Sequence, residues 1–174
     1  MLRNLFYAIL AVTLLLFAGL SLGTTAETNA AEDGLEVATF AGGCFWCVES
    51  DFDTVPGVVR TISGYTGGAL PDPTYKQVSA GGTGHREAVQ IFFDPKQVTY
   101  AALVEIFWRS IDPTDDGGQF CDRGESYQTA IFADSPEQKQ QAEASKTELR
   151  SSGVLKQPVV TPIEVARAFY PAED

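Results

Sequence analysis

The chain is poor in cysteine, histidine and basic residues, and each shortage narrows the range of functions. Three cysteines (Cys44, Cys47 and Cys121) are too few for a disulfide scaffold in a chain of 174 residues. A single histidine, His85, makes a four-ligand zinc site hard to assemble, so we expect no bound metal. Acidic residues outnumber basic ones, 23 to 12, and the formal charge of −11 weighs against nucleic acid or an anionic membrane as a partner.

Long apolar runs are also scarce, and the clearest one lies at the N-terminus. It covers residues 5–22, follows the positively charged segment 1–4 and precedes a small, polar stretch. This order is typical of a secretory signal peptide, although the length of the run leaves an uncleaved membrane anchor as the alternative. We therefore predict a signal peptide over residues 1–31, a folded domain over 32–174 and a location outside the cytoplasm, periplasmic or extracytoplasmic. There, an odd cysteine count indicates a reactive thiol or a redox relay.

The rest of the sequence alternates between strand and helix patterns. Several connections are short, which favours an α+β domain, a two-layer α/β sandwich with a mixed sheet. The stretch 112–126 reads as one long polar loop, and loops of that length are often functional. Strands are predicted near 35–41, 58–65, 85–93, 127–133 and 159–165, and helices near 44–54, 75–78, 99–110 and 135–150.

Cys44 is placed at a predicted turn between a strand and a helix. Gly42 and Gly43 precede it and permit a tight turn. At the start of a helix, unpaired backbone N–H groups and the helix dipole favour a thiolate, which is the reactive form of cysteine. The pattern therefore predicts Cys44 as a nucleophile, with a buried structural cysteine as the alternative.

Glu87 is the strongest candidate for an acid. Alternation along strand 85–93 puts it on the same face as Val89, Ile91 and Phe93. If that face is the core, Glu87 is a partly desolvated carboxylic acid suited to proton donation near neutral pH. The alternative is a solvated glutamate paired with Arg86 or Lys76.

Further along, several ordered motifs resemble those of the peptide-methionine sulfoxide reductase A family, over about residues 35–171. The resemblance implies a two-layer sandwich related to the ferredoxin-like plan. The motifs are Gly43-Cys44-Phe45-Trp46, Gly64-Tyr65-x-Gly67-Gly68, Pro73-Thr74-Tyr75, Gly84-His85-x-Glu87-Ala88-Val89, Phe107-Trp108, Asp112-Pro113 and Asp122-Arg123-Gly124-x-x-Tyr127.

The resemblance also implies roles for individual residues. Cys44 would attack the sulfoxide sulfur and be left as a sulfenic acid. Glu87 would protonate the sulfoxide oxygen, while Tyr75 and Tyr127 would donate hydrogen bonds to it. By type alone these tyrosines are as well explained by packing.

Three more positions match the family's substrate site. Phe45 and Trp46 would form an apolar pocket for the S-methyl group, and Asp122 would order water and the substrate backbone. The implied substrate is the S epimer of methionine sulfoxide, free or in peptides and proteins. No organic cofactor or metal is implied, because the electrons arrive as thiols. Nothing in the sequence demands an oligomer, so we expect a monomer.

The sequence offers two candidates for the recycling thiol. Many family members carry recycling cysteines in a C-terminal tail, and the sequence has none after residue 121. Cys47 follows Cys44 by three residues, which on a helix gives a Cα separation of about 5 Å, inside the disulfide range of about 4.4–6.8 Å. Cys121 adjoins Asp122. Sequence proximity favours Cys47, with a thioredoxin-like protein as the expected reductant.

Three other functions fit parts of the sequence less well. A CxxC thiol–disulfide oxidoreductase would use Cys44 and Cys47, but the thioredoxin order of strands and its cis-proline are missing. A cysteine hydrolase would need His85 as its base, and no acyl-transfer signature surrounds it. A metal-carrying CxxC module is disfavoured by the two bulky aromatic residues between the cysteines.

Overall fold

A six-stranded mixed sheet is the framework of residues 34–173, the part of the chain that the computed structural model describes. The predicted signal peptide lies outside the described residues. The strands are β1 (Glu36–Ala41), β2 (Val58–Thr66), β3 (Arg86–Phe93), β4 (Gly118–Gln119), β5 (Asp122–Arg123), β6 (Ala130–Ala133), β7 (Ile163–Val165) and β8 (Tyr170–Pro171). The helices are α1 (Phe45–Asp53), α2 (Tyr75–Ser79), α3 (Tyr100–Ser110) and α4 (Pro136–Ser151).

The sheet has the strand order β7-β6-β1-β3-β2-β8. Its neighbours are antiparallel, except that β6 and β7 run parallel. β4 and β5 form a separate hairpin. This architecture confirms the predicted α+β class with a mixed sheet. Among residues 34–173, no helix is long and apolar enough to cross a membrane.

The main core lies between one face of the sheet and the helices. As the alternation in β3 predicted, Val89, Ile91 and Phe93 are all fully buried on that face. Phe40 of β1 stacks on Phe107 of α3 with ring centroids 4.8 Å apart. A smaller cluster, which includes Ala88, Ala130 and Phe132, packs separately. Alternation in the strands thus fixes which side chains face the helices.

Part of the C-terminal half differs from the sequence-based prediction. Within the predicted loop 112–126, residues 118–123 form the β4–β5 hairpin and residues 125–127 a short 3₁₀ helix. The predicted strand 127–133 begins only at residue 130, because Tyr127 donates its backbone N–H to Gly124 (3.1 Å) within that turn. These short elements are held by local turns, which a periodic pattern does not reveal.

The last predicted strand is also shorter than expected. Val160 donates its backbone N–H to the Pro113 carbonyl (2.8 Å), outside the sheet, and Pro162 has no N–H to donate. β7 therefore begins at Ile163. β8 was missed because two residues carry no period, yet it pairs Tyr170 with Tyr65 and brings the end of the chain to β2.

Candidate active site

Cys44 lies at the turn from β1 to α1, as predicted. It is the residue that precedes the first turn of α1, and its side chain is partly exposed. Gly43 has a φ of +91°, and a Cβ built on it would lie 2.6 Å from the Cβ of Gln119 in β4. Glycine is therefore required here by both the backbone and the space, and the turn presents Cys44 at the positive end of the helix dipole.

Substitution of Gly43 by alanine tests this turn. We expect Gly43→Ala to lower the free energy of unfolding by about 2–4 kcal/mol, because it combines a left-handed backbone with a clash against Gln119. Gly153→Ala is the control, since Gly153 has a φ of +72° but no atom within 4 Å of an added Cβ. It should cost only about 1 kcal/mol. Urea denaturation measures both, and equal losses would contradict the argument from packing.

Glu87 is buried directly beside the nucleophile. Only 2% of it is exposed, and its Oε2 accepts the backbone N–H of Phe45, the first residue of α1, at 3.0 Å. Burial raises the pKa of Glu87 to about 7, the Phe45 N–H lowers it in part, and the charge of Asp122 raises it further. The alternative partner, Arg86, pairs instead with Glu164 at 3.0 Å. Glu87 is therefore a carboxylic acid able to donate a proton near neutral pH.

Tyr75 and Tyr127 converge on the same place from α2 and the 3₁₀ helix. Besides burial, the negative charge of Glu87 and the Tyr75 hydroxyl both raise the pKa of Tyr127, so the three groups lie near one another. Burial is the main cause that raises the pKa of Tyr127 to about 12, so its hydroxyl stays protonated. The two phenols can therefore donate hydrogen bonds to an oxygen that lies beside Glu87.

Two site residues were missed by sequence reasoning. Tyr65 is fully buried opposite Glu87 in the β2–β3 register, and its hydroxyl donates to Glu173 Oε2 at 3.4 Å. Burial, followed by the charge of Glu173, raises the pKa of Tyr65. Glu173 Oε1 also accepts the backbone N–H of Tyr75 at 2.7 Å. Tyr65 belongs to a quoted motif and could have been considered, whereas Glu173 depends on the unforeseen strand β8.

Phe45 and Trp46 differ sharply in exposure. Phe45 is 3% exposed and packs against Tyr65 and Tyr75, with ring centroids 6.0 and 6.4 Å apart. Trp46 is 67% exposed, with its ring 5.4 Å from that of Phe45. Local sequence could not decide between core anchors and a pocket. In the structure Phe45 packs into the core with its ring against that of Trp46, which faces solvent, so the pair is anchored in the core and also presents apolar surface.

The second thiol is close to the first. Cys47 is exposed, and its backbone N–H donates to the Cys44 carbonyl at 3.1 Å. Its pKa is raised by burial first, and then by Cys44, Asp122 and Asp51. Cys121 is exposed in the β4–β5 hairpin, one residue before Asp122. The structure therefore brings Cys47 and Asp122 to Cys44 and Glu87, with Cys121 next to this group in the chain.

These contacts indicate the class of protein. Two adjoining thiols beside a buried carboxylic acid characterise an enzyme that passes electrons through cysteine. The family model for peptide methionine sulfoxide reductase matches residues 36–174. The chain belongs to the peptide methionine sulfoxide reductase family, as the sequence motifs indicated, and its activity is the thiol-dependent reduction of methionine sulfoxide.

Individual relatives and solved structures support this family membership. The chain is 57% identical over 139 residues to a peptide methionine sulfoxide reductase MsrA of Bacillus pumilus, covering 80% of this chain and 78% of the relative. It is 56% identical over 143 residues to one of Listeria monocytogenes, covering 82% and 81%. Methionine sulfoxide reductase A of Corynebacterium diphtheriae superposes with a TM-score of 0.71 at 33% identity, covering 82% and 72%. Mxr1 of Saccharomyces cerevisiae in reduced form superposes with a TM-score of 0.75 at 30% identity, covering 81% of each chain.

Proposed function

We propose that this protein reduces the S epimer of methionine sulfoxide, free and in polypeptides, with Cys44 as nucleophile and Glu87 as general acid. The observation that carries the proposal is the position of Glu87. Its carboxyl group accepts a hydrogen bond from the backbone N–H of Phe45, the residue that follows Cys44. A proton donor with a pKa near 7 therefore adjoins the sulfur that would attack.

The first step transfers oxygen from the substrate to Cys44. The Cys44 thiolate attacks the sulfoxide sulfur, while Glu87 gives its proton to the sulfoxide oxygen, which Tyr75 and Tyr127 hold by hydrogen bonds. The attack forms a bond between Cys44 and the substrate sulfur. That bond and the sulfur–oxygen bond of the substrate then break as the hydroxyl passes to Cys44, which becomes a sulfenic acid. Methionine leaves, reduced by two electrons, and Cys44 is oxidised by two.

Three residues hold the substrate in this mechanism. Phe45 and Trp46 contact the S-methyl group, because they supply the apolar surface beside Cys44. Asp122 orders water and the substrate backbone. Its charge reaches both Glu87 and Cys47, which supports its position at the mouth of the site. In this mechanism the apolar contacts select the sulfoxide orientation and Glu87 supplies the acid.

The second step forms a disulfide and releases water. The Cys47 thiol attacks the Cys44 sulfur, a bond forms between the two sulfurs, and the hydroxyl of the sulfenic acid leaves as water with the proton from Cys47. The backbone hydrogen bond from Cys47 to the Cys44 carbonyl (3.1 Å), which puts the two cysteines on one turn of the chain, supports Cys47 as the resolving cysteine, with Cys121 as the second candidate. A thioredoxin-like protein then reduces the disulfide through its own pair of thiols.

The test is a single turnover of the reduced domain without external reductant. One equivalent of methionine from the S epimer, none from the R epimer and the loss of two free thiols are expected. The only methionine of the chain is Met1, so released methionine comes from the substrate. Cys44→Ser should release none. If the wild type released no methionine while Cys44 and Cys47 still exchanged with a disulfide substrate, the chain would be a thiol–disulfide oxidoreductase instead.

We also propose that the protein is exported through its N-terminal segment and acts as a monomer. The order of charged, apolar and small residues in 1–31 supports export. Nothing in the sequence demands an oligomer, which supports a monomer. The mass of the protein recovered outside the cytoplasm would reveal cleavage near residue 31, and light scattering would give its oligomeric state. An intact chain in the membrane fraction would favour an anchor.

A further inference from the structure

We propose that the tip of the β4–β5 hairpin is a docking point for apolar residues that flank methionine sulfoxide in a polypeptide substrate. Phe120 is the residue that would make this contact. The inference rests on the proposed function and deepens it, because it names the class of sequence that the site prefers. The sulfoxide itself is bound at Cys44, whereas the hairpin tip would bind the neighbouring side chains.

The conformation of Phe120 is unusual for an aromatic residue. Its φ is +50°, in the left-handed region where glycine and asparagine are favoured, and 70% of it is exposed. It occupies the first position of the two-residue connection between Gln119 and Asp122, where glycine or asparagine is the usual choice. A large apolar side chain at this position gains little burial within its own domain. The binding of a partner would give it the burial that the fold does not.

The hairpin tip is fixed beside the active site. Gln119, on one side of Phe120, packs so closely on Gly43 that an added Cβ there would meet it at 2.6 Å. Gln119 is 1% exposed. Its side-chain amide accepts a hydrogen bond from the backbone N–H of Asp112 (2.8 Å) and donates one to the Asp112 carbonyl (2.9 Å). On the other side, Asp122 acts electrostatically on Cys47. Phe120 is thus held on a rigid support within reach of the nucleophile's turn.

Phe120 is one of the few exposed aromatic side chains of the described domain. Among residues 34–173, Trp46, Tyr75 and Phe120 are the aromatic residues with large exposed surface. Trp46 and Tyr75 belong to the proposed substrate site, and Phe120 follows Gln119, which packs on the turn before Cys44. Exposed aromatic surface of this kind is typical of an interaction site. An extended peptide advances about 3.3 Å per residue, so side chains one or two positions from the sulfoxide would reach beyond the pocket.

The occupant inferred is therefore the substrate polypeptide. The family model itself describes peptide substrates, and a peptide whose sulfoxide is at Cys44 lies beside the turn on which Gln119, the neighbour of Phe120, packs. A protein reductant would also approach Cys47, which is why the test uses dithiothreitol as the reductant. The rate then does not depend on docking of a second protein.

The readout is the ratio of the kcat/KM values for two peptide substrates. We expect the wild type to have a kcat/KM about fivefold higher for acetyl-Leu-Met(O)-Leu-amide than for acetyl-Gly-Met(O)-Gly-amide, because part of a phenylalanine side chain becomes buried. Phe120→Asn should bring the ratio close to one. Asparagine tolerates the left-handed backbone, so the hairpin is expected to keep its shape. Phe120→Leu should retain most of the preference, since leucine keeps the apolar surface.

Val154→Ala is the matched control, because Val154 is an exposed apolar residue (76%) in the loop after α4. It should leave the ratio unchanged. A wild-type ratio near one, or a ratio that Phe120→Asn preserves, would overturn the inference. A defect of Phe120→Asn seen only when thioredoxin replaces dithiothreitol would assign the tip to the reductant and also overturn it. Failure of the wild type to reduce free L-methionine-S-sulfoxide would instead contradict the proposed function.

Discussion

Glu87→Gln is expected to abolish most of the activity while making the folded domain more stable at neutral and alkaline pH. Glutamine has almost the same shape, and its side-chain oxygen can still accept the Phe45 N–H that Glu87 accepts at 3.0 Å. It cannot donate an acidic proton to the sulfoxide oxygen. Loss of a general acid lowers kcat by about 10²–10⁴-fold, so we expect single-turnover methionine formation to fall by a factor in that range.

The pH dependence of the wild type follows from the same group. Only the protonated form of Glu87 can act as an acid, and its pKa is raised to about 7. Activity should therefore decline as the pH rises above 7 and Glu87 loses its proton. In Glu87→Gln this decline should disappear from the residual activity. A variant that kept the same alkaline decline would show that another group is responsible for it.

The gain in stability follows from the direction of the shift. The pKa of Glu87 rises from its ordinary value of 4.5 in the unfolded chain to about 7 in the folded one. Between these values the folded state holds the proton more tightly, so its stability is complete below pH 4.5 and declines as the pH rises towards 7. A shift of this size corresponds to about 3 kcal/mol as an upper limit. Glutamine does not titrate, so the variant escapes this loss.

Urea unfolding at pH 5 and pH 8 measures the effect on stability. Between pH 5 and pH 8, the free energy of unfolding of the wild type should fall by more than that of Glu87→Gln. Glu143→Gln is the control, because Glu143 is an exposed glutamate of α4. It should follow the wild type at both pH values and keep full activity. If Glu87→Gln were less stable than the wild type at pH 8, the carboxylate would be contributing favourable interactions and the assignment of a neutral acid would fail.

The parts of the site that the sequence predicts are those that depend on local order. The two-residue period of a strand predicted that Glu87 lies on the core face of β3, and the glycine pair before Cys44 indicated the turn into α1. Both follow from the conformation of a few neighbouring residues. The degree of burial was underestimated, since Glu87 was expected to be only partly desolvated and is 2% exposed.

The remaining parts depend on contacts between distant segments. The bonds of Glu173 to Tyr65 and Tyr75 join residues about a hundred positions apart through the two-residue strand β8. The close packing of Gln119 on Gly43 joins the hairpin to the nucleophile's turn. Neither has a periodic pattern or a turn signature that could reveal it, because each results from how separate elements pack. Sequence motifs could name Asp122 and Tyr127, but only the fold brings them to Cys44.

The second large effect is expected for the resolving cysteine. Cys47→Ser should still form one equivalent of methionine in a single turnover, because Cys44 and Glu87 are unchanged. It should lose one free thiol instead of two and retain the sulfenic acid on Cys44. Turnover with thioredoxin should fall by about 100-fold or more, since an adjoining thiol has an effective concentration that a protein reductant in solution does not reach.

The nearness of the two cysteines supports this expectation over the alternative. The Cys47 backbone N–H donates to the Cys44 carbonyl at 3.1 Å. Burial, and then Cys44, raise the pKa of Cys47, so in the reduced enzyme it holds a proton that can leave with the sulfenic hydroxyl as water. Its exposure then allows a reductant to reach the disulfide. Cys121→Ser, which removes the other exposed thiol, should lose two thiols and turn over with thioredoxin like the wild type. If Cys121→Ser lost one thiol and Cys47→Ser lost two, the hairpin cysteine would resolve Cys44.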